Sequence, residues 1–311
     1  MKVVPFQRPE ENYVERFLAS NPRFSEGTAD AYGRALRQFM EWISTKPGSE
    51  GRFQPSSLTK TALTVYLDEL ASNNYSVSHR NRVKYAISSF SNWLIERGEL
   101  SKNPANGIDV PAQPLMAPRV LTEDQRYILR NLVEREGDLR NEAIFALGFW
   151  AGCRVSDVAW LKLEDCSLGP KIGSVEVGYK GGKRRVIDLI NEVRRPLYEW
   201  IRSEERARKS SPYVFVSQRA DRLTENGIHH WFRSLKKQAR NDEWELIKDI
   251  TYHDLRHDFA HRCREVGWTL EEIAFYLGHI TRKGTPAIST TARYTQPSRE
   301  QIKEKLKWLK G

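Results

Sequence analysis

The sequence is poor in cysteine and has no long run of apolar residues. Its 311 residues include three cysteines, Cys153, Cys166 and Cys263, and no two of them form a CxxC pair. That odd number and spacing argue against a disulfide framework or a cysteine-based zinc module and suit a reducing compartment. No stretch approaches ~20 apolar residues and the N-terminus lacks a secretory signal, so we expect no membrane partner and a cytoplasmic location.

Acidic residues are outnumbered by basic ones. Lys and Arg total 50 against 40 Asp and Glu, a formal charge of +10 at pH 7. Residues 113–311 hold 36 of the basic and 28 of the acidic residues, so most of the surplus lies there. Because cationic side chains displace counterions from phosphates, the surplus favours a polyanionic partner, with ordinary solubilising charge as the alternative.

Hydrophobic periodicity predicts a compact bundle of about four helices over residues 10–98. A long helix is expected from Thr28, a residue type common at helix N-caps. Its apolar residues recur at helical spacing: Tyr32, Leu36, Phe39, Met40 and Ile43. One helix is expected before it and two after it, the last of them starting after Ser76 and ending at Gly98.

A proline-rich segment follows this bundle. Four prolines fall between Pro104 and Pro118. Proline cannot continue a helix, so the segment should run extended and mark a domain boundary. The sequence therefore predicts a helical domain over residues 1–103, a linker over 104–119 and a second domain over 120–311.

The second domain is also predicted to be mostly helical, with one small β-structure. A helical pattern is expected to begin at the TEDQ segment. Further helices are expected at about 191–208, 224–239, 253–266 and 270–278, followed by a basic C-terminal helix. Alternating Val175 and Val177 before a Gly-Gly turn predict a β-hairpin whose tip carries Lys180 and Lys183. The fold class is thus mainly α, of the α+β kind, with a small hairpin or sheet.

Several side chains suited to phosphate chemistry occur in the second domain. His253 and Arg256 stand three apart on a predicted helix, so they share one face with Cβ atoms about 5–6 Å apart. Arginine binds phosphate through a fixed pair of donors, and histidine can pass a proton near neutral pH. Arg154 precedes Ser156, which could cap a helix where backbone N–H groups also favour an anion. Taken singly, these residues are more typical of a structural histidine and of surface or salt-bridged arginines.

Five motifs in a fixed order make the pattern specific. They are ALGFWAGCRVSDVAWLKLEDC, the basic hairpin, YHDLRHDFA, YLGH and ARYTQ. Together they resemble the tyrosine recombinases, or phage integrase family, above all its Xer-like and transposon-borne members. The resemblance extends over residues 120–311, and the N-terminal bundle is similar to the family's core-binding domain. It implies a site-specific recombinase that cleaves and rejoins duplex DNA for integration, excision or resolution of a mobile element or replicon.

The resemblance also implies roles for six residues. Tyr294 would attack a phosphodiester and form a 3′-phosphotyrosyl link, while His253 would act as acid or base beside it. The non-bridging oxygens would be bound by Arg154 and Arg256, with a further hydrogen bond from His279. Lys180 would protonate the departing 5′ oxygen, and Lys183 in the same run remains an alternative. No metal and no cofactor is required.

The same resemblance implies an assembly on DNA. Two inverted-repeat core sites would each bind one protomer, the two domains closing around the duplex, and a homo-tetramer would form the active synapse. The terminal helix, with Leu306, Trp308 and Leu309, would pack onto a neighbouring protomer or, alternatively, onto its own domain. The stretch ITRKGTPAIST before Tyr294 is longer than is usual in the family, which leaves delivery of the tyrosine in cis or in trans open.

Other interpretations come from different classes. A type IB topoisomerase shares the chemistry and relaxes supercoils without a specific site, and a non-catalytic DNA-binding protein or a metal-dependent nuclease are further alternatives. His253, His257 and His261 could form a zinc-binding face with His229 or His230. More simply, His257 supports Arg154 or the phosphate, and His261 faces solvent.

The aromatic residues Trp150, Trp160, Phe259 and Phe275 are expected in the core.

Overall fold

The structure is a computed structural model, and it describes residues 9–111, 120–178, 184–217, 220–281, 284–292 and 294–295. Contacts between Cα atoms divide the chain into two compact units, Met1–Pro114 and Leu115–Gly311. Both are mainly helical, and the second also contains one small antiparallel sheet. No helix among the described residues is long and apolar enough to cross a membrane.

The first unit contains the four expected helices. They are α1 (Pro9–Ala19), α2 (Glu26–Ser44), α3 (Lys60–Ser72) and α4 (Val77–Ile95). Their facing side chains form one apolar core that includes Leu36, Phe39, Leu63, Ile87 and Phe90. The prediction that Thr28 caps α2 was wrong, because the hydroxyl of Ser25 accepts the hydrogen bond from the backbone N–H of Thr28. Ser76 caps α4 as expected.

The beginning of the predicted linker differs from the expected extended chain. Residues 104–107 form a turn that begins at Asn103, whose side-chain amide donates to the carbonyl of Ser88 and to Asn92. Ala105 and Ile108 are buried in the core of the first unit. Apolar burial therefore overrides the preference of the prolines for extended chain here, and residues 112–119 lie outside the described ranges.

The second unit contains ten helices among its described residues. They are α5 (Glu123–Glu136), α6 (Leu139–Phe149), α7 (Val155–Ala159), α8 (Asn191–Arg202), α9 (Glu204–Ala207), α10 (Glu225–Lys236), α11 (Asn241–Ile247), α12 (Tyr252–Glu265), α13 (Leu270–Leu277) and α14 (Ile288–Ala292). The helix expected over 191–208 is broken at Ser203, which is extended and caps α9. The capping box of Thr269 and Glu272 at the start of α13 is confirmed.

The sheet consists of β1 (Cys166–Leu168), β2 (Gly173–Val177) and β3 (Arg185–Asp188), in that order and antiparallel. The predicted hairpin is formed by β2 and β3, with Val175 opposite Ile187 and Val177 opposite Arg185. The third strand was not predicted. The hairpin tip with Lys180 and Lys183, and the predicted C-terminal helix, lie outside the described residues.

Two expectations about burial were wrong. Phe275 was expected in the core, but it is 75% exposed on α13, because Ile273, Ala274 and Leu277 form the buried face of that short helix. His261 was expected to face solvent, but it is 4% exposed, and its Nδ1 lies 3.2 Å from the carboxylate of Glu265 one turn later.

A buried carboxylate fixes α12 against the rest of the second unit. Asp258 is fully buried and accepts hydrogen bonds from Arg126 Nη2 at 2.8 Å and from Arg262 Nε at 2.9 Å. It also accepts from the backbone N–H of Leu121, just before α5, at 3.2 Å. The guanidinium of Arg262 lies 4.3 Å from the ring centre of Phe149 at the end of α6. Helices α5, α6 and α12 are thus joined around one charge.

We expect Asp258→Ala to lower the free energy of unfolding by about 3–5 kcal/mol, because it leaves two partly buried guanidinium groups without their anion. Chemical denaturation of the purified variant measures this. The control is Glu204→Ala, which breaks an exposed pair with Arg208 and should change stability by less than about 1 kcal/mol. Equal effects of the two variants would contradict the role assigned to Asp258.

Candidate active site

Helix α12 presents three of the residues that form the site. His253, Arg256 and His257 stand at i, i+3 and i+4, so they project from one side of the helix. The helix begins after Thr251, whose backbone N–H donates to the carboxylate of Asp254 at 2.7 Å. This N-terminal bond fixes the first turn, and the ion pairs of Asp258 fix the middle, so the three side chains start from a rigid backbone.

Arg256 is fully buried at the centre of the site. Its Nη1 donates to the carbonyl of Gly152 at 2.6 Å and its Nη2 donates to the carbonyl of Leu277 at 2.7 Å. Its Nε is buried with no hydrogen-bond partner among the described atoms. Burial, followed by the nearby charge of Arg154, lowers the pKa of Arg256 to about 9. The group is still protonated at neutral pH, so the site holds a buried cation with a spare donor, which favours an anionic ligand.

Gly152 can approach Arg256 because it has no side chain. Its backbone is left-handed, with φ of 60°. A Cβ at this position would lie 2.5 Å from a ring carbon of Phe259 and 2.9 Å from a methyl of Leu277. A substitution would therefore displace α12 or α13 as well as strain the turn.

Arg154 occupies the N-cap position of α7. The prediction that Ser156 caps a helix here was wrong, because Asp157 accepts a hydrogen bond from the backbone N–H of Arg154 at 3.1 Å. The guanidinium of Arg154 is half-buried, and burial lowers its pKa. Its Nη2 is 3.5 Å from the carbonyl of Gly278, too long for a strong bond, so this side chain can turn to a ligand.

Arg185 and Asp157 support the site, and the sequence motifs did not identify either of them as site residues. Arg185, on β3, donates through Nε to the carbonyl of Tyr276 at 2.7 Å and through Nη2 to Asp157 at 3.3 Å. It packs against Gly278, where a Cβ would lie 2.9 Å from its Nη1. Arg185 thereby connects the strand that leaves the hairpin to the N-terminus of α7 and the C-terminus of α13. Its place in the basic run of the hairpin, two residues after Lys183, is the sequence signal for it, but the sequence does not distinguish a buried member of such a run from an exposed one.

His279 follows α13 and joins two parts of the site. Arg256 Nη2 lies 2.9 Å from His279 Nε2, and because a guanidinium can only donate, this ring nitrogen accepts. The proton is therefore assigned to Nδ1, which donates to the hydroxyl of Thr291 at 3.1 Å. Thr291 is fully buried and lies on α14. His279 thus connects the central arginine to the helix that precedes Tyr294.

Tyr294 lies inside the site of its own chain. Its hydroxyl is 3.4 Å from His253 Nε2, a long hydrogen bond. Its ring stacks on that of His257, with centroids 4.0 Å apart and planes at 21°. The two ends of the loop that precedes α14 lie next to each other. Ile280 pairs with Pro286 in a β-bridge, and the N–H of Ala287 donates to the carbonyl of His279 at 2.6 Å. The additional residues therefore do not carry the tyrosine away from the site.

All three histidines around Tyr294 are uncharged at neutral pH. Burial, followed by the charge of Arg256, lowers the pKa of His253 and lowers that of His279 to about 3. Burial also lowers the pKa of His257 to about 4. A neutral His253 next to a phenol hydroxyl can accept its proton.

The remaining expectations about the site concern lysine and metal. Lys180 and Lys183 lie outside the described residues, so the structure does not choose between them. Within the described ranges, no group of three or more His, Cys, Asp or Glu side chains is placed to hold a metal ion. Chemically, the site combines two guanidinium groups for an anion with a tyrosine hydroxyl beside a neutral imidazole.

Two protein-family models match this sequence. One, described as the phage integrase family, matches residues 119–301, and the other, described as the N-terminal SAM-like domain of phage integrases, matches residues 14–98. Together they cover most of both units.

Individual proteins are similar over nearly the whole chain. The tyrosine recombinase XerC of Pelobacter propionicus is 30% identical over 289 residues, covering 92% of this chain and 90% of that protein. XerD of Listeria monocytogenes is 26% identical over 297 residues, covering 94% and 93%. The Tn1549 transposon integrase, solved with circular intermediate DNA, has a TM-score of 0.71 at 16% identity, covering 97% of this chain and 100% of that one, which shows the fold alone.

Proposed function

This chain belongs to the phage integrase family and is a tyrosine-type site-specific DNA recombinase; we propose that it works through a 3′-phosphotyrosyl intermediate. The observation that carries the proposal is the position of the Tyr294 hydroxyl, 3.4 Å from His253 Nε2, in a site that also contains Arg154 and Arg256. We further propose that its substrate is duplex DNA and that it acts in the cytoplasm.

In the proposed reaction, the oxygen of Tyr294 attacks the scissile phosphorus and its proton passes to His253. The bond from phosphorus to the 5′ oxygen breaks, and that oxygen leaves as a hydroxyl after taking a proton from Lys180, or from Lys183 if the other lysine of the run serves. The phosphate remains linked to Tyr294. Because the link conserves the energy of the broken bond, a new 5′-hydroxyl can attack it and rejoin the strands without a nucleotide cofactor.

Arg154 and Arg256 would bind the non-bridging oxygens, on which negative charge grows in the transition state. Preorganised cations contribute most at that point, so no metal ion is needed for charge stabilisation. For Arg256 the orphan Nε donor and the lowered pKa support this role. His279 would give its hydrogen bond through Nε2. This requires the phosphate to replace His279 as the partner of Arg256 Nη2, and the imidazole proton to move from Nδ1 to Nε2, with Nδ1 then accepting from the hydroxyl of Thr291.

We also propose assembly on two inverted core sites into a tetramer. An apolar groove of about 770 Å³ lies on the second unit beside α13. Its exposed side chains include Val186, Ile190, Val266 and Phe275. This groove suits the apolar residues Leu306, Trp308 and Leu309 of a neighbouring protomer's terminal segment.

A nicked suicide substrate carrying the native recombination site tests the covalent mechanism. With EDTA present, the protein should form a denaturation-resistant adduct attached to the 3′ phosphate and leave a free 5′-hydroxyl. A substrate without the site should give no adduct, whereas a topoisomerase would react with both. Failure to form any adduct on DNA that the protein demonstrably binds would reject the mechanism, and loss of cleavage in EDTA would instead indicate a metal-dependent nuclease.

The rate of adduct formation should depend on the protonation of His253. Its pKa is lowered from the usual 6.5, chiefly by burial, so the neutral form that accepts the Tyr294 proton persists below pH 6.5. As pH falls through that lowered pKa the imidazole becomes charged and the rate should fall. Single-turnover rates between pH 4.5 and 8 measure this decrease in rate at acidic pH for the wild type and for His253→Gln. If the variant shows the same decrease, the base is another group.

A further inference from the structure

We propose that His257 is a positioning residue for Tyr294, providing the flat surface that holds the phenol ring at the angle and depth from which its oxygen attacks the phosphate. This inference rests on the proposed function, because it assumes that Tyr294 is the nucleophile. It gives His257 a role different from the support of Arg154 or the phosphate expected from the sequence.

The two histidines of α12 form a right-angled corner around the tyrosine ring. His257 lies parallel to it, at 4.0 Å between centroids and 21° between planes, whereas His253 meets it edge-on at 5.9 Å and 74°. The two imidazoles are themselves perpendicular, at 4.7 Å and 88°. His279 also contacts the phenol ring, at 4.8 Å and 46°, but His257 is nearer and more nearly parallel. His257 therefore sets the plane of the phenol ring, and His253 sets the direction of its hydroxyl.

The two partners differ in how firmly the fold holds them. His257 follows the fully buried Arg256 and precedes the fully buried Asp258, so its backbone is fixed at the centre of α12. Tyr294 follows the five-residue helix α14, which contacts the site through the hydrogen bond from His279 to Thr291. The imidazole of His257, on the more firmly held backbone, therefore orients the ring of Tyr294. The stack constrains the plane of the phenol ring, which a single hydrogen bond does not do.

The chemical state of His257 suits this role. Its Nδ1 is buried with no hydrogen-bond partner among the described atoms, so the ring is placed by the backbone of α12 and by its contacts with the rings of His253 and Tyr294. Burial, followed by the charge of His253, lowers its pKa to about 4, so the ring is neutral where the enzyme works. A neutral ring adds no third positive charge next to Arg154 and Arg256.

The experiment compares His257→Phe, which retains a flat ring, with His257→Ala and His257→Leu, which remove it. We measure the single-turnover rate of adduct formation and, separately, DNA affinity. The Ala and Leu variants should be slower by about 10²-fold, the effect of a displacement of about 1 Å at a reacting atom, with affinity within threefold of wild type. The Phe variant should retain the rate to within about fivefold, because it restores the stacking plane without the nitrogens.

A substrate with sulfur in place of the 5′ bridging oxygen distinguishes positioning of the nucleophile from protonation of the leaving group. Thiolate leaves without an acid, so a defect in Tyr294 placement should persist on this substrate, and its disappearance would overturn the proposal. A Phe variant as slow as Ala would overturn it too, because the nitrogens would then be required. Leu preserves bulk, so it replaces Ala if that variant fails to fold.

A matched control guards against a general effect of removing a buried imidazole from α12. His261→Ala removes one on the next turn, where the side chain lies near Glu265. The folded fraction of His261→Ala should form the adduct at a rate within threefold of the wild-type rate. An equal loss of rate in His261→Ala and His257→Ala would overturn the proposal. If the wild type itself forms no adduct through Tyr294, the proposed function fails first, which is a different result from slow variants of an active enzyme.

Discussion

Replacement of Tyr294 by phenylalanine is expected to reduce covalent adduct formation by at least about 10⁴-fold while DNA affinity stays within twofold. The change removes one oxygen, the atom that lies 3.4 Å from His253 Nε2. The ring remains, so its stack on His257 and the course of the chain from α14 should be retained. Binding should persist because the residues proposed to contact the phosphate are untouched.

The control for this variant is Tyr127→Phe, which makes the same chemical change on an exposed part of α5. It should form adducts at the wild-type rate. Peptide mapping of the wild-type adduct should identify Tyr294 as the attached residue, and an adduct on another tyrosine would contradict the assignment.

The same variant also tests delivery in cis. The hydroxyl of Tyr294 lies in the site of its own chain, so a mixture of Tyr294→Phe and Arg256→Ala protomers should not regain cleavage. If the mixture recovered activity, the tyrosine of one protomer would have acted in the site of another, and the cis arrangement would be overturned.

Local patterns in the sequence predicted much of the fold because they depend on neighbours along the chain. The apolar period of α2, the capping box before α13 and the alternation in β2 each report on a few consecutive residues. The errors occurred where a choice among similar signals was needed. Ser25 and Thr28 are both residue types common at N-caps, and the structure shows that Ser25 occupies the cap position.

Burial was harder to predict from sequence, since it depends on what packs from elsewhere. Phe275 is apolar and lies on a helix, but that helix has only eight residues and its other face already fills the core. His261 is polar, yet α12 lies between other elements and buries it. Composition cannot distinguish an apolar side chain in the core from one lining an exposed groove.

The sequence motifs identified the residue types of the site but not how they contact one another. Nothing in the spacing shows that Arg256 donates to His279, or that His279 then donates to Thr291, because these bonds cross 23 and 12 residues. The stack of Tyr294 on His257 is equally non-local. Arg185 was missed for another reason, since the sequence does not show that this member of the basic run is partly buried and packs against α13.

Arg256→Lys should slow adduct formation by about 10³-fold, the usual cost of losing a preorganised donor from a developing oxyanion. It should also lower the free energy of unfolding by about 2 kcal/mol or more, because a lysine cannot reach both carbonyls that the guanidinium satisfies. Those carbonyls belong to Gly152 and Leu277, which precede Arg154 and His279 by two residues. The substitution therefore disturbs the support of two further site residues while keeping the charge.

Arg154→Lys separates the loss of cleavage rate from the loss of stability. Among the described residues, the one hydrogen bond of this half-buried side chain is the 3.5 Å contact of Nη2 with the carbonyl of Gly278. Its replacement should therefore slow cleavage without a comparable loss of stability. Chemical denaturation and single-turnover cleavage of both variants, at matched DNA occupancy, measure the difference. If Arg256→Lys retained activity within tenfold, a fixed pair of donors would not be needed at the centre of the site. Its buried, unpartnered Nε would then require an explanation other than a phosphate oxygen.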